Sequence, residues 1–124
     1  MRAGIYNFTI EQGAKFERFL TWRDQTKTPR DLTGYDARMK IKRKIGGPLI
    51  LSLTSNPPDE GDGIYLGGAT GVVQLFISSE TTTALDFKTA VYDLELVPPV
   101  SVDPKREPIR WIEGALSFSP EATD

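Results

Sequence analysis

Ala37-Arg38-Met39-Lys40-Ile41-Lys42 sets an apolar residue and a cation in strict alternation. A period of two marks an extended strand with one face buried and one in water, because successive side chains leave a strand on opposite sides. A helix would need apolar residues three and four apart. The same period recurs in both directions along the chain. Towards the N-terminus, Phe16, Arg18, Leu20 and Trp22 alternate with Glu17, Phe19, Thr21 and Arg23, and Tyr6, Phe8 and Ile10 predict a first strand. Towards the C-terminus the inward sets are Leu49, Leu51 and Leu53, then Val73, Leu75 and Ile77, then Tyr92, Leu94 and Leu96. The last set is Ile112, Gly114, Leu116 and Phe118, and Gly63-Ile64-Tyr65-Leu66 predicts one more short strand.

Turn residues separate these runs: Gln12-Gly13, Thr28-Pro29, Thr33-Gly34, Gly46-Gly47-Pro48, Asn56-Pro57-Pro58 and Gly67-Gly68. Strands starting every ~10–15 residues read as an all-β sandwich. Ser79-Glu80-Thr81-Thr82-Thr83-Ala84-Leu85 breaks the pattern with a capping serine and an early acid, and predicts a short helical turn near residues 79–86. The longest connection is Pro98 to Pro108, whose four prolines fix φ and offer no N–H.

The 124 residues make one domain, residues 1–124, with 39% hydrophobic residues to build its core. The chain holds no cysteine and no histidine. That excludes disulfides, thiolate metal sites, the commonest general base and the Ser–His pair. No apolar run approaches the roughly 20 residues of a membrane span, and the N-terminus lacks the apolar stretch of a signal peptide. The composition therefore predicts a soluble, non-enzymatic domain, with no cofactor and no membrane partner. Charge is uneven: residues 1–62 carry 11 cations against 8 acids, and residues 63–124 carry 4 against 9. Such a dipole suits contact with complementary surfaces, copies of the chain included, and is too mild for nucleic acid.

Several stretches invite a chemical reading. Asp59-Glu60-Gly61-Asp62-Gly63 holds a fragment of an oxygen-ligand cation loop, but no closing glutamate follows, so a solvated acidic turn and no metal is expected. Gly67-Gly68-Ala69-Thr70-Gly71 leads into a strand without a lysine, which makes it a hairpin turn and not a phosphate loop. Asn7-Phe8-Thr9 fits a glycosylation sequon, with Phe8 better placed in the core. No spacing sets up a pair of facing carboxylates. Arg38, Lys40 and Lys42 put cations on one strand face without interleaved aromatics, as a solvated face or one side of a subunit contact. The stiff loop is the first candidate contact surface: Pro98, Pro99, Val100, Val102, Pro104, Arg106 and Pro108, with Trp111 just beyond it as core residue or partner anchor.

Asp31-Leu32-Thr33-Gly34-Tyr35-Asp36-Ala37-Arg38-Met39-Lys40-Ile41-Lys42, preceded by Leu20-Thr21-Trp22-Arg23-Asp24 and Pro29, resembles small structural proteins of tailed bacteriophages. Val91-Tyr92-Asp93-Leu94-Glu95-Leu96 and Glu113-Gly114-Ala115-Leu116-Ser117-Phe118-Ser119-Pro120-Glu121 extend the likeness over roughly residues 5–121. The group is similar to the N-terminal domain of phage baseplate upper proteins. The resemblance implies an immunoglobulin-like antiparallel β-sandwich of about 7–9 strands in a virion structural protein. It implies a tail or baseplate adaptor, assembled in the bacterial host cytoplasm. Its partners would be other phage structural proteins, tail, baseplate or fibre subunits, in a symmetric assembly. The chain ends with the sandwich and its 98–108 loop is long and proline-rich for the group, so a free-standing adaptor or decoration is expected. A capsid decoration or head-to-tail neck protein, and a carbohydrate- or host-surface-binding module, are the alternatives. The Asp31-Leu32-Thr33-Gly34 turn has a folding reason of its own: Asp and Thr bond nearby amides, Gly34 permits positive φ, and Leu32 and Tyr35 pin the turn.

Overall fold

A computed structural model describes residues 4–55 and 61–120. Its strands are β1 (Gly4–Ile5), β2 (Phe8–Glu11), β3 (Phe16–Thr21), β4 (Asp36–Lys42), β5 (Leu49–Thr54), β6 (Gly63–Leu66), β7 (Val72–Ile77), β8 (Thr89–Val97) and β9 (Ile109–Ser119). A 3-10 turn, Gly68–Thr70, joins β6 to β7, and the helix α1, Ser79–Ala84, joins β7 to β8. The larger sheet has the order β1-β9-β8-β4-β5, with β2 also paired to β9, and the smaller has the order β3-β7-β6. The chain crosses between sheets after β2, β3, β5 and β7, which is the connectivity of an immunoglobulin-like sandwich.

The alternation read from the sequence produces the core. Ala37, Met39 and Ile41 of β4, Val73, Leu75 and Ile77 of β7, and Tyr92, Leu94 and Leu96 of β8 are all buried. Ile10, Phe16, Ile112 and Leu116 join them in one cluster between the sheets. Burial of such side chains contributes about 1.5–3 kcal/mol each, which offsets the entropy of ordering the strands.

The first and last strands depart from antiparallel pairing: β1 and β2 run parallel to β9. The N-terminal segment thereby closes an edge of β9 that would otherwise be open. The expected single strand through Tyr6, Phe8 and Ile10 is interrupted, and Tyr6 is exposed while Ile10 is buried. The interruption has its cause near the other end of the chain. Gly114 lies so close beneath the break that a Cβ there would overlap the Tyr6 carbonyl oxygen outright and sit 2.8 Å from its carbon. Through this gap the Tyr92 hydroxyl donates to the Tyr6 carbonyl at 2.7 Å. Burial pushes the Tyr92 phenol well above its ordinary value, with the charges of Tyr6 and Glu113 adding to the effect. The Ala115 amide, left without a strand partner by the break, donates to the Asn7 side chain at 2.9 Å. Asn7, the sequon residue, thus bonds β9 through its side chain across the break.

Two further expectations shift. Leu49 shares the parity of the inward leucines but is 54% exposed, because a register shift between Ile41 and Lys42 slips β5 and turns Leu49 outward. The helix cap is Ser78, one residue before Ser79: its hydroxyl accepts the Thr81 amide at 3.2 Å. The acidic turn preceding β6 serves this same cap. Asp62 accepts the Ser78 amide at 2.6 Å and the Thr81 hydroxyl. The remaining residues of the cation-loop reading, Asp59 and Glu60, and the Asn56-Pro57-Pro58 turn lie outside the described residues.

Candidate interface at the loop end

The connections 22–35, 67–71 and 98–108 meet at one end of the sandwich, beside the start of β1. Backbone hydrogen bonds tie the first two together. Trp22 N–H donates to Gly71 O, Leu32 N–H to Gly68 O and Arg30 N–H to Trp22 O, each at 2.8 Å. Gly71 is required here: its φ is +73°, and a Cβ would meet the Arg30 and Trp22 carbonyl oxygens at 2.9 Å. The Asp31 carboxylate accepts both the Thr33 amide at 2.9 Å and its hydroxyl at 2.6 Å. These bonds, the hydroxyl first, hold Asp31 below the usual carboxylate range. Asp24 makes the same kind of turn with Thr26 and Thr28 and is lowered likewise. Leu32 is buried and Tyr35 meets Trp22 edge-on at 6.0 Å, so the Asp31-Leu32-Thr33-Gly34 turn is pinned to the core.

The 98–108 loop is braced from within. Val102 and Asp103 amides donate to Pro99 O at 2.9 Å, and the Asp103 carboxylate accepts the Lys105 and Glu107 amides at 3.1 and 3.0 Å. Arg106, with φ +50°, turns inward: its Nε donates to Pro98 O at 2.9 Å and its guanidinium pairs with Asp36 at 2.8 Å. Pro98 is buried and Pro99 packs over Gly34. Of the candidate loop residues, Pro98, Pro99 and Arg106 therefore hold the loop. Val100 and Val102 stand out from it, 63% and 61% exposed, with Pro104 and Pro108 also at the surface.

Trp111 does two things. Its half-buried ring lies 6.1 Å from that of Trp22, which ties it to the core. Its remaining surface lines an open groove of about 750 Å³ together with Tyr6, Trp22, Arg23, Arg30 and Arg110. The Arg30 guanidinium covers the Trp22 ring at 4.5 Å from its centroid, a contact worth roughly 0.5–2 kcal/mol. Tryptophan, tyrosine and arginine are the residues that dominate binding energy at protein interfaces. Arg30 and Tyr6 are not singled out by sequence reasoning. Their place depends on a turn that folds back onto Trp22 and on the strand break at Gly114, and no local motif signals either.

Arg38, Lys40 and Lys42 lie elsewhere, on the outer face of the larger sheet. Arg38 bonds Glu95 of β8 at 2.7 Å, and Lys40 stands opposite Asp93 in the ladder. The row of cations is thus set beside a row of acids, which counters its field as a phosphate-binding stripe. Among the described residues, no group of three carboxylates is placed to hold a metal ion, and no helix is long and apolar enough to cross a membrane. No protein-family model matches the chain, and no curated protein matches it.

Proposed function

We propose that this chain is a non-enzymatic structural component of a tailed-bacteriophage particle. In this reading it is a tail or baseplate adaptor that attaches fibres or neighbouring baseplate proteins through its loop end. The observation that carries the reading is the braced 98–108 loop. It presents Val100 and Val102 to solvent on a backbone already fixed by Asp103 and Arg106, and the residues that follow it, Ile109 to Ile112, line a groove with Tyr6 and Arg30. A loop ordered before contact loses little freedom on docking, so its apolar tip converts into affinity. Repetition of one such contact by symmetry is how particle components assemble. The resemblance to phage structural proteins supplies the particle; the loop supplies the contact. A sugar-binding reading finds less support in the groove, because Trp22 is buried and Arg30 already lies over its ring.

The test is replacement of residues 99–107 by a short Gly-Ser turn. The variant is expected to unfold cooperatively as the parent does, yet to be missing from particles assembled in its presence. Normal incorporation of a folded variant would overturn the assignment of this loop. A head or neck location of the unaltered chain would favour the capsid decoration or connector reading.

A further inference from the structure

The outer face of the larger sheet carries three layers of side chains across its strands. At the Val91 level, Leu49, Lys42, Val91 and Ala115 lie side by side on β5, β4, β8 and β9. At the next level the row is Ser52, Lys40, Asp93, Glu113 and, on β1, Ile5. The third row is Thr54, Arg38, Glu95 and Arg110. Cations therefore occupy β4 and acids occupy the neighbouring β8 at the second and third levels. Lys40 and Lys42 make no salt bridge among the described residues, whereas Arg38 and Arg110 do. Two large apolar residues stand over this face with little cover, Ile45 of the β4–β5 hairpin at 91% exposure and Ile5 at 74%. They flank a groove of about 470 Å³ whose floor includes Val91 and Gly114 and whose walls include Lys40, Lys42, Asp93 and Glu113.

We infer that this face binds a second copy of the chain about a twofold axis. The axis runs along the strands, midway between β4 and β8. Such a rotation preserves the level of each residue and lays β4 of one copy over β8 of the other. Lys40 then meets the second copy's Asp93, the Arg38–Glu95 ion pair of each copy lies over that of the other, and Leu49 meets its Ala115, and each contact occurs twice. Self-complementarity of this kind is what an isologous interface demands. The exposed Ile5 and Ile45 border the same face, where a packed copy would cover them. The contact borders the loop end, with which it shares Arg110, and does not depend on a role in a phage particle.

Sedimentation velocity over micromolar to millimolar concentrations tests it, with three proteins. The parent chain should pass from monomer to dimer. Lys40→Glu sets a negative charge against Asp93 twice per dimer, and Asp93→Lys sets a positive charge against Lys40 twice, so each variant alone should dimerise at least about tenfold more weakly. An equimolar mixture of the two variants restores opposite charge at both contacts and should form a heterodimer of parental strength. Matching circular dichroism spectra keep the comparison among folded proteins. A parent that stays monomeric throughout, or variants that dimerise as tightly as the parent, would overturn the inference. A mixture no stronger than its components would overturn the twofold pairing of Lys40 with Asp93.

Discussion

Replacing Gly114 by alanine should loosen the N-terminal strand from the sandwich. The new Cβ would overlap the Tyr6 carbonyl oxygen and come within 3.0 Å of the Asn7 side-chain oxygen, so the segment 6–7 must lift away from β9. Three hydrogen bonds cross that seam: Tyr6 N–H to Glu113 O, the Tyr92 hydroxyl to Tyr6 O, and Ala115 N–H to Asn7 Oδ1. At about 1 kcal/mol each their loss costs about 3 kcal/mol, and the buried phenol left without an acceptor adds to this. The smaller conformational freedom of alanine in the unfolded chain returns about 0.4–1 kcal/mol. A net loss of about 2–3 kcal/mol remains. With a urea m-value of about 1.5 kcal/mol/M, the unfolding midpoint should fall by roughly 1.3–2 M. Tyr92→Phe removes only the hydroxyl and should cost about 1 kcal/mol, half as much or less. Equilibrium urea denaturation followed by tryptophan fluorescence measures both. A Gly114→Ala midpoint within about 0.3 M of the parent's would refute the claim that the strand break exists because of this close approach.

The loop end makes its own predictions. Gly71→Ala, strained at φ +73° and against two carbonyl oxygens, should destabilise the chain by at least about 1–2 kcal/mol in the same urea assay and perturb Trp22 fluorescence. Arg106→Ala should leave global stability within about 1 kcal/mol, since its ion pair with Asp36 is partly exposed, while amide exchange at residues 102–107 accelerates. Asp24 and Asp31 have folded pKa values below their ordinary 3.8, so their stabilisation is present above that pH and is lost as pH falls through the lowered folded values. Asp24→Asn with Asp31→Asn should therefore flatten the fall of melting temperature below about pH 4; an acid limb as steep as the parent's would contradict the role of these two turns.

How far the sequence reaches depends on how local the cause is. Met39 and Leu94 can be placed in the core because each lies in a strand with a single buried face, and the pattern of neighbours says which face. The Thr33-Gly34 turn is equally legible, because Asp31, Thr33 and Gly34 each act on backbone within three residues. Periodicity misplaces Leu49 because a slip at Lys42 changes which face it takes on β5, and periodicity is blind to a slip. It misplaces Tyr6 because the break at the first strand is made by Gly114, which reads in isolation as one more small strand residue. At the candidate interface, the exposed valines of the 98–108 loop are visible as part of a proline-rich stretch. The inward turn of Arg106 depends on Asp36, 70 residues earlier, and the arginine over Trp22 depends on a fold-back in the 22–35 connection. The first pairing exists only once β4 and β8 have paired, and the second only once that connection has folded back on itself.

Immunogold electron microscopy of intact particles, with antibody raised against this chain, tests the central claim most directly. The account predicts label at the distal tail, where adaptor and fibre proteins meet. Particles that carry no label, or carry it over the head or neck, would contradict a tail or baseplate adaptor.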